Sequence, residues 1–356
     1  MMEFKIIEEC CTILDSQRIP ITAKNRIAGC YPYYGANGVQ DYVSDYIFDD
    51  ELVLLAEDGG NFGSKSRPIA YRVSGKCWVN NHAHVLKPKE NLNVDYLCYS
   101  LMFYDTNNLV NGATRKKLTQ STMRQMKIPY LNIKDQLKIV KKLKKIEEMM
   151  QNYRNQINLL DELVKARFVE LFGDPVYNEK QWKVEQFGSL GELKRGKSKH
   201  RPRNDPILLG GKYPLIQTGD ISNSHTYIQT YKSTYSEEGL KQSKMWKAGT
   251  LCITIAANIA ESAILTFDAC FPDSIVGFLP NDKVNLIFIH HWLDFLQPIL
   301  EENAPAVAQK NLNVASLEKV GVILPPLELQ NQFADFVKEV DKSRFIIKSM
   351  IKEGLL

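Results

Sequence analysis

The sequence predicts an α+β chain in which two globular α/β domains are separated by two long helices that pair antiparallel as a coiled coil. Three observations carry that reading. Between Lys134 and Phe172, apolar residues recur at Ile139, Leu143, Ile146, Met150, Tyr153, Ile157, Leu160 and Val164, in steps alternating between four and three. That period of 3.5 keeps one apolar stripe turned toward a partner helix. No Pro or Gly interrupts the stretch before Gly173-Asp174-Pro175, a stop signal for a helix. Finally, the chain repeats itself at an offset of 194: Lys116 with Lys310, Leu118 with Leu312, Met123 with Leu317, Met126 with Val320, Ile128 with Val322 and Gln136 with Gln330.

The same offset carries the apolar seam forward, from Ile139 to Phe333, Leu143 to Val337, Ile146 to Val340, Tyr153 to Ile347 and Ile157 to Ile351. Only Met150 meets a polar counterpart, Arg344. Upstream the offsets drift as loops of unequal length require: Cys77–Pro88 aligns with Ala269–Pro280 at 192, and Tyr31-Pro32 with Tyr213-Pro214 at 182. The chain therefore reads as an internal tandem repeat of domain plus helix. Its segments are a first domain over 1–133, a long helix over 134–172, a second domain over 173–326 and a C-terminal helix over 327–356. At 1.5 Å per residue the first helix is roughly 57 Å long, a spacer rather than a domain element. The second is shorter, with Arg344 in its seam, and is expected to pack less completely.

Within residues 1–133, short β-prone runs at Tyr46–Phe48, Leu52–Ala56, Ile69–Val73, Cys77–Val79 and Ala83–Leu86 alternate with turn clusters at Tyr34–Gly38 and Asp58–Gly60. Asp95–Tyr104 reads as a helix and Met126–Leu131 as a strand. The second domain repeats the pattern, with a helix near Leu286–Leu300 and a strand at Val320–Leu324 before Leu327–Ile351.

With 356 residues and 44% hydrophobic content, two real cores are possible. The net charge of +4 permits nucleic acid as a partner without demanding it. The seven cysteines lack any CxxC pair, and no apolar window suits a bilayer span. A soluble, cytoplasmic protein with free thiols is the expectation.

Basic and amide residues cluster in predicted loops. In the first domain they are Asn37, Gln40, Lys65, Arg67, Asn80, Asn81, His82, Arg115, Lys116 and Lys117. In the second they are Lys194, Arg195, Lys197, Lys199, Arg201, Arg203, Gln217, Thr218, Lys241, Lys244 and Lys310. The run 194–203 holds six Lys or Arg among Gly, Ser and Pro, and reads as a flexible cationic loop suited to phosphates. Arg, Asn and Gln are the side chains that read base edges.

Catalytic signatures are missing. The Gly-rich loop Asp58–Ser64 is not followed by Gly-Lys-Ser/Thr, so a nucleotide pocket is not expected. Leu324-Pro325-Pro326-Leu327 lacks the Asn or Asp of amino-methyltransferases, and Glu192-Leu193-Lys194 lacks the upstream Pro-Asp of a nuclease. His82-Ala83-His84 alternates so that both imidazoles would share a face, with no further ligand to complete a metal site. His290-His291, inside an apolar helix, reads as packing.

The chain resembles the specificity subunit of type I restriction–modification enzymes. The residues that carry the likeness are Tyr31–Gly38, Trp78–Val85, the Gln136 helix ending Leu171-Phe172-Gly173-Asp174-Pro175, and Leu324–Gln330. The resemblance implies a non-catalytic DNA-recognition subunit whose two domains each read half of a split double-stranded site. It further implies a coil on which two modification subunits dock to methylate adenine N6, joined by restriction subunits. S-adenosylmethionine, ATP and Mg would then lie on those partners and none on this chain. The rival reading is a coiled-coil adaptor with two protein-binding ends; a nuclease with an unrecognised site stands third.

Overall fold

Each long helix is locked to the globular unit that precedes it by one buried glutamine. Gln136 is fully buried; its Oε1 accepts from the Asn93 amide at 2.8 Å, and its Nε2 donates to the carbonyls of Asn91 (2.9 Å) and Leu131 (2.7 Å). Gln330, also fully buried, repeats this with the Asn285 amide (2.9 Å) and the carbonyls of Lys283 (3.2 Å) and Pro325 (2.9 Å). The repeated glutamine noted in the sequence is thus a structural clamp in both copies.

The computed structural model describes residues 3–112, 115–256, 258–302 and 312–353. It divides into two compact units, Met1–Met149 and Met150–Leu356. In the first, the elements are β1 (Phe4–Ile6), α1 (Ile7–Cys10), β2 (Cys11–Ile13), β3 (Ala28–Gly35), β4 (Gly38–Val43), β5 (Phe48–Ala56), β6 (Ala70–Val79), β7 (Ala83–Pro88), α2 (Val94–Met102), α3 (Gln120–Arg124) and β8 (Lys127–Pro129). The helix α4 (Ile133–Phe172) then runs from the first unit into the second. A six-stranded sheet has the order β2-β7-β5-β6-β3-β4, and β1 pairs with β8. The two runs expected at 69–73 and 77–79 are one strand, β6, because Gly75 at φ +75° lets the chain continue between them. The sequence reading missed the β3–β4 hairpin, which flanks its Tyr34–Gly38 turn.

The second unit holds β9 (Val184–Gln186), β10 (Gly191–Arg195), β11 (Leu209–Leu215), α5 (Thr218–Ser222), β12 (Tyr227–Ile228), β13 (Ser233–Tyr235), α6 (Glu237–Lys241), β14 (Met245–Trp246), β15 (Leu251–Thr254), β16 (Ser262–Leu265), β17 (Ala269–Cys270) and β18 (Ile275–Pro280). They are followed by α7 (Leu286–Glu302), α8 (Val314–Glu318), β19 (Gly321–Ile323) and α9 (Leu327–Glu353). The duplication is legible in its register. In the first unit β3 runs parallel to β6 with Tyr33 beside Trp78; in the second β11 runs parallel to β17 with Leu215 beside Cys270. Those are the same positions at offsets of 182 and 192. The long strand β6 is represented in the second unit by two pieces, β16 and β17, in separate sheets of order β10-β18-β15-β16-β12 and β13-β11-β17-β14.

The helix α4 starts on Asn132, whose Oδ1 accepts from the Asp135 amide at 3.0 Å. It stops at Gly173, which takes φ +75°. There Lys180 donates to the Leu171 carbonyl at 3.0 Å, and Trp182 Nε1 to the Phe172 carbonyl at 2.8 Å, satisfying groups a helix end leaves open. In the second unit α4 and α9 run antiparallel, since Phe168 meets Phe333 at 5.4 Å between ring centres while Asp161, earlier in α4, meets Arg344, later in α9. Val164, Phe168 and Phe172 join Phe333, Val337 and Val340 in the core of that unit, with Leu160 against it.

The seam is shallower than the heptad pattern predicts. Ile139, Leu143, Met150, Tyr153, Ile157 and Leu160 are only half-buried and Ile146 is exposed, as are Leu159 and Leu163. The deepest positions include Val140, Phe168 and Phe172, which lie off the 3.5 repeat because they enter a globular core rather than face one helix. On α9, Ile347 and Ile351 are half-buried. Arg344 does not open the seam as expected. It is buried at 6% exposure, and its guanidinium pairs with Asp161 on α4, at 2.5 Å, and with Asp341. Breaking such a pair leaves a buried charge, whereas an apolar replacement of similar length can be neutral or better. Replacing Asp161 by Ala is therefore expected to cost about 1–2 kcal/mol, discounted because Asp161 is partly exposed and Asp341 remains. Adding Arg344→Met, the residue at the repeated position, should recover that loss in the same urea-unfolding measurement.

Candidate nucleic-acid interface

Four loop segments of the first unit converge where β5 ends and β7 begins. Asn37, in the β3–β4 turn, donates to the Gly59 carbonyl at 3.0 Å, and the Gly59 amide donates to the Lys116 carbonyl at 3.3 Å. Asp58 Oδ1 lies 2.8 Å from His82 Nδ1 and 2.5 Å from the Arg115 guanidinium, while Lys117 pairs with Glu57 at 3.0 Å. Asn37, Gln40, Asn81, His82, Arg115, Lys116 and Lys117 thus belong to one loop surface. Lys65 and Arg67 stand exposed on the adjoining 61–68 loop, where Ser64 Oγ accepts from the Arg67 amide at 2.9 Å.

Asn80 has a different role from the one its residue type suggests. It is 3% exposed, its Nδ2 donates to Gln40 Oε1 at 2.9 Å, and its Oδ1 accepts from the His82 amide at 2.8 Å. It shapes the turn and cannot reach a base. Nor do the two imidazoles of His82 and His84 share a face: His82 lies in the turn, whereas His84 is fully buried. His84 Nδ1 is 2.6 Å from Asp15 Oδ2, and its Nε2 is 2.9 Å from the Leu118 carbonyl. Burial pushes the Asp15 carboxyl up, but hydrogen bonds from His84, Gln120 and the Val85 amide and the His84 charge outweigh it and hold the group below its usual range. Glu57 is likewise held down, by Arg18, Lys117 and His84 against its own burial. This network ties the floor of the loop cluster together.

In the second unit the run 194–203 is anchored where a flexible loop was expected. The Arg195 Nε donates to the Asp273 carbonyl, and Asp273 takes ion pairs from Arg201 (3.4 Å) and Arg203 (2.5 Å). Gln242 Oε1 accepts from the amides of Lys199 (2.7 Å) and His200 (3.2 Å), and Ser243 Oγ donates to the Lys197 carbonyl at 2.9 Å. The two basic stretches separate in sequence, 194–203 and 241–244, are therefore one surface. Lys194 pairs with Glu192 and Lys241 with Glu238. Lys197 and Lys199 are exposed and make no ion pair among the described residues, as is also true of Lys65, Arg67 and Lys116. Lys244 Nζ lies 3.8 Å from the Trp246 ring centre; burial, then the charges of Lys194 and Lys197, press its ammonium below its ordinary pKa. Lys197 and Lys244, neither paired with a carboxylate among the described residues, make a favourable place for phosphate.

Beside these cations a groove of about 260 Å³ is lined by Ser198, Arg203, Asn204, Gln217, Thr218 and Ser274, among others. Gln217 Nε2 donates weakly to Ser233 Oγ at 3.4 Å, and Ser198 Oγ is buried with no hydrogen-bond partner among the described residues. Sequence reasoning missed Ser198 and Asn204, since nothing in residue type marks a serine as an unspent donor. Lys310 lies outside the described residues. Among those described, no helix is long and apolar enough to cross a membrane.

Over residues 1–160 and 179–356 the chain matches the family model described as type I restriction modification DNA specificity domain. A Haemophilus influenzae chain described as a type I restriction enzyme specificity subunit is 29% identical over 367 residues, covering 99% of this chain and 90% of that one. The MjaX specificity subunit of Methanocaldococcus jannaschii is 23% identical, over 72% of this chain and 64% of its own. Among solved structures, the S subunit of a type I system from M. genitalium aligns over 99% of this chain and 93% of its own, at 13% identity and a TM-score of 0.58. A chain from a structure of type I complex assembly and conformational transition aligns over 99% and 96%, at 14% identity and a TM-score of 0.50.

The depressed Asp15 carboxyl gives the first unit a signed pH dependence. A carboxyl with a lowered folded pKa adds stability above its unfolded value, about 3.9, which is lost as the pH falls through the folded value. The thermal midpoint should therefore drop on acidification below about pH 4, and less steeply in Asp15→Asn. At neutral pH that variant is expected to cost about 1–3 kcal/mol, for loss of charge-assisted hydrogen bonds at a buried site.

Proposed function

Because the chain belongs to the type I restriction modification DNA specificity family, we propose that its two units each read half of a split double-stranded DNA target across a gap of fixed length. The observation that supports this most is the duplication of a reader clamped to a helix, with uncompensated cations in the loops of both copies. In the first unit Lys65, Arg67 and Lys116 would meet phosphates, with Asn37, Gln40 and Asn81 nearest the bases. In the second, Lys197, Lys199 and Lys244 would hold the backbone while Gln217 and Thr218 face base edges from the groove, whose wall Arg203 builds through its ion pair with Asp273. The 40 residues of α4 amount to about 60 Å, which suits half-sites one or two turns of B-DNA apart.

The helix pair is the place for partner subunits. Leu159 and Leu163 on α4, and Phe345, Ile346 and Met350 on α9, are exposed apolar side chains in the second unit. Exposed apolar residues of this kind mark protein contact. Two modification subunits would dock there and carry S-adenosylmethionine, and restriction subunits would bring ATP and Mg; this chain supplies the address in the cytoplasm.

The test is the salt dependence of DNA binding by the chain assembled with its modification subunit. Replacing Lys197, Lys199 and Lys244 together by Ser is expected to weaken binding and to lower the slope of log K against log salt by roughly 2–3. An unchanged slope would contradict the phosphate assignment and favour a protein-binding adaptor.

A further inference from the structure

Away from the loops that face DNA, one turn of α7 gathers a set of donors that the reading above does not use. His290, His291 and Asp294 stand at i, i+1 and i+4, and helix residues three and four apart are surface neighbours. Asp294 Oδ2 is accordingly 3.2 Å from His291 Nδ1 and 4.0 Å from His290 Nε2, and the three ligand atoms all lie within 4.8 Å of one another. The sequence reading takes the two histidines as packing because the helix around them is apolar.

Two further observations point to a ligand. His290 is 5% exposed and its Nδ1 lies 2.9 Å from Ser262 Oγ, which fixes the ring and leaves Nε2 turned toward Asp294. An outer hydrogen bond on the far nitrogen is how metal-bound imidazoles are oriented. His291 turns its Nδ1 toward Asp294. These side chains open on a polar cavity of about 330 Å³, which His225 also lines. Its remaining charged lining is largely engaged: Asp161 with Arg344, and Glu261 with Ser222 Oγ. Lys165 also lines the cavity and is a cation the ion must tolerate.

We propose that His290, His291 and Asp294 bind a divalent first-row transition cation of the zinc class. Two imidazoles and a carboxylate with open positions form a recognised donor set for such ions. Ligand distances of about 2.0–2.2 Å put donors roughly 3.3 Å apart in a tetrahedral site. The His291–Asp294 pair already has that spacing, and His290, whose ligand atom lies within 4.8 Å of both others, must close by at most about 1.5 Å. Water or His225 completes the shell from the cavity. With His225 as the fourth ligand the ion would fasten α7 to the α5–β12 segment, while Ser262 on β16 orients His290 from behind, independently of DNA reading.

The test uses the full chain with Cys30→Ser, since Cys30 is an exposed thiol that would compete. After chelator treatment it is titrated with Co²⁺, read by its visible absorption, and with Zn²⁺ by equilibrium dialysis. The expected result is one saturable equivalent, lost in Asp294→Asn and weakened about 10- to 100-fold in Ser262→Ala. His291→Gln serves if Asp294→Asn proves unfolded by circular dichroism. No saturable binding, or binding that survives both substitutions in folded protein, would overturn the site.

Discussion

The buried carboxamide of Gln136, and its repeat at Gln330, is the constraint from which the rest of the structure follows. Each carboxamide is itself fully buried and is satisfied by one amide and two carbonyls around it; left unpaired, such a buried polar group would cost about 1–3 kcal/mol. The three partners come from the loop before the domain helix and from the residues just ahead of the long helix. The direction of each long helix is thereby tied to its own globular unit. A helix that merely followed its domain would be a tether; one clamped in this way leaves its unit in a set direction.

Much of this was legible from pattern alone. The offset of 194 carried the heptad helix forward to the second one and paired the strands β8 and β19 and the two glutamines, though not their role as clamps, because duplication preserves spacing even where side chains diverge. The seam was legible in kind but not in depth. The heptad stripe located the paired face, whereas burial concentrates at Val140, Val164, Phe168 and Phe172, where the helix enters globular cores. Arg344, which looked like a flaw in the stripe, is an ion pair across the helices.

The candidate interface was legible as a set of residues and not as a set of roles. Residue type marks a cation, but whether it is free depends on a carboxylate far along the chain. Asp273, some 70 residues away in sequence, occupies Arg201 and Arg203. Glu57 and Asp58 occupy Lys117 and Arg115, and a turn consumes Asn80. What remains free after those pairings is a smaller and more specific set in each unit. Loops on a rigid scaffold are where binding residues vary while the framework persists, which is why the helices of the two halves agree so much better than their readers.

The central claim is that the two clamped readers address one split DNA site. Adenine-methylation mapping of the host genome, with and without this gene, tests it most directly. A single bipartite motif with one fixed gap is expected to lose its methylation when the gene is removed. Loss of a continuous motif, or of half-sites with variable gaps, would contradict it.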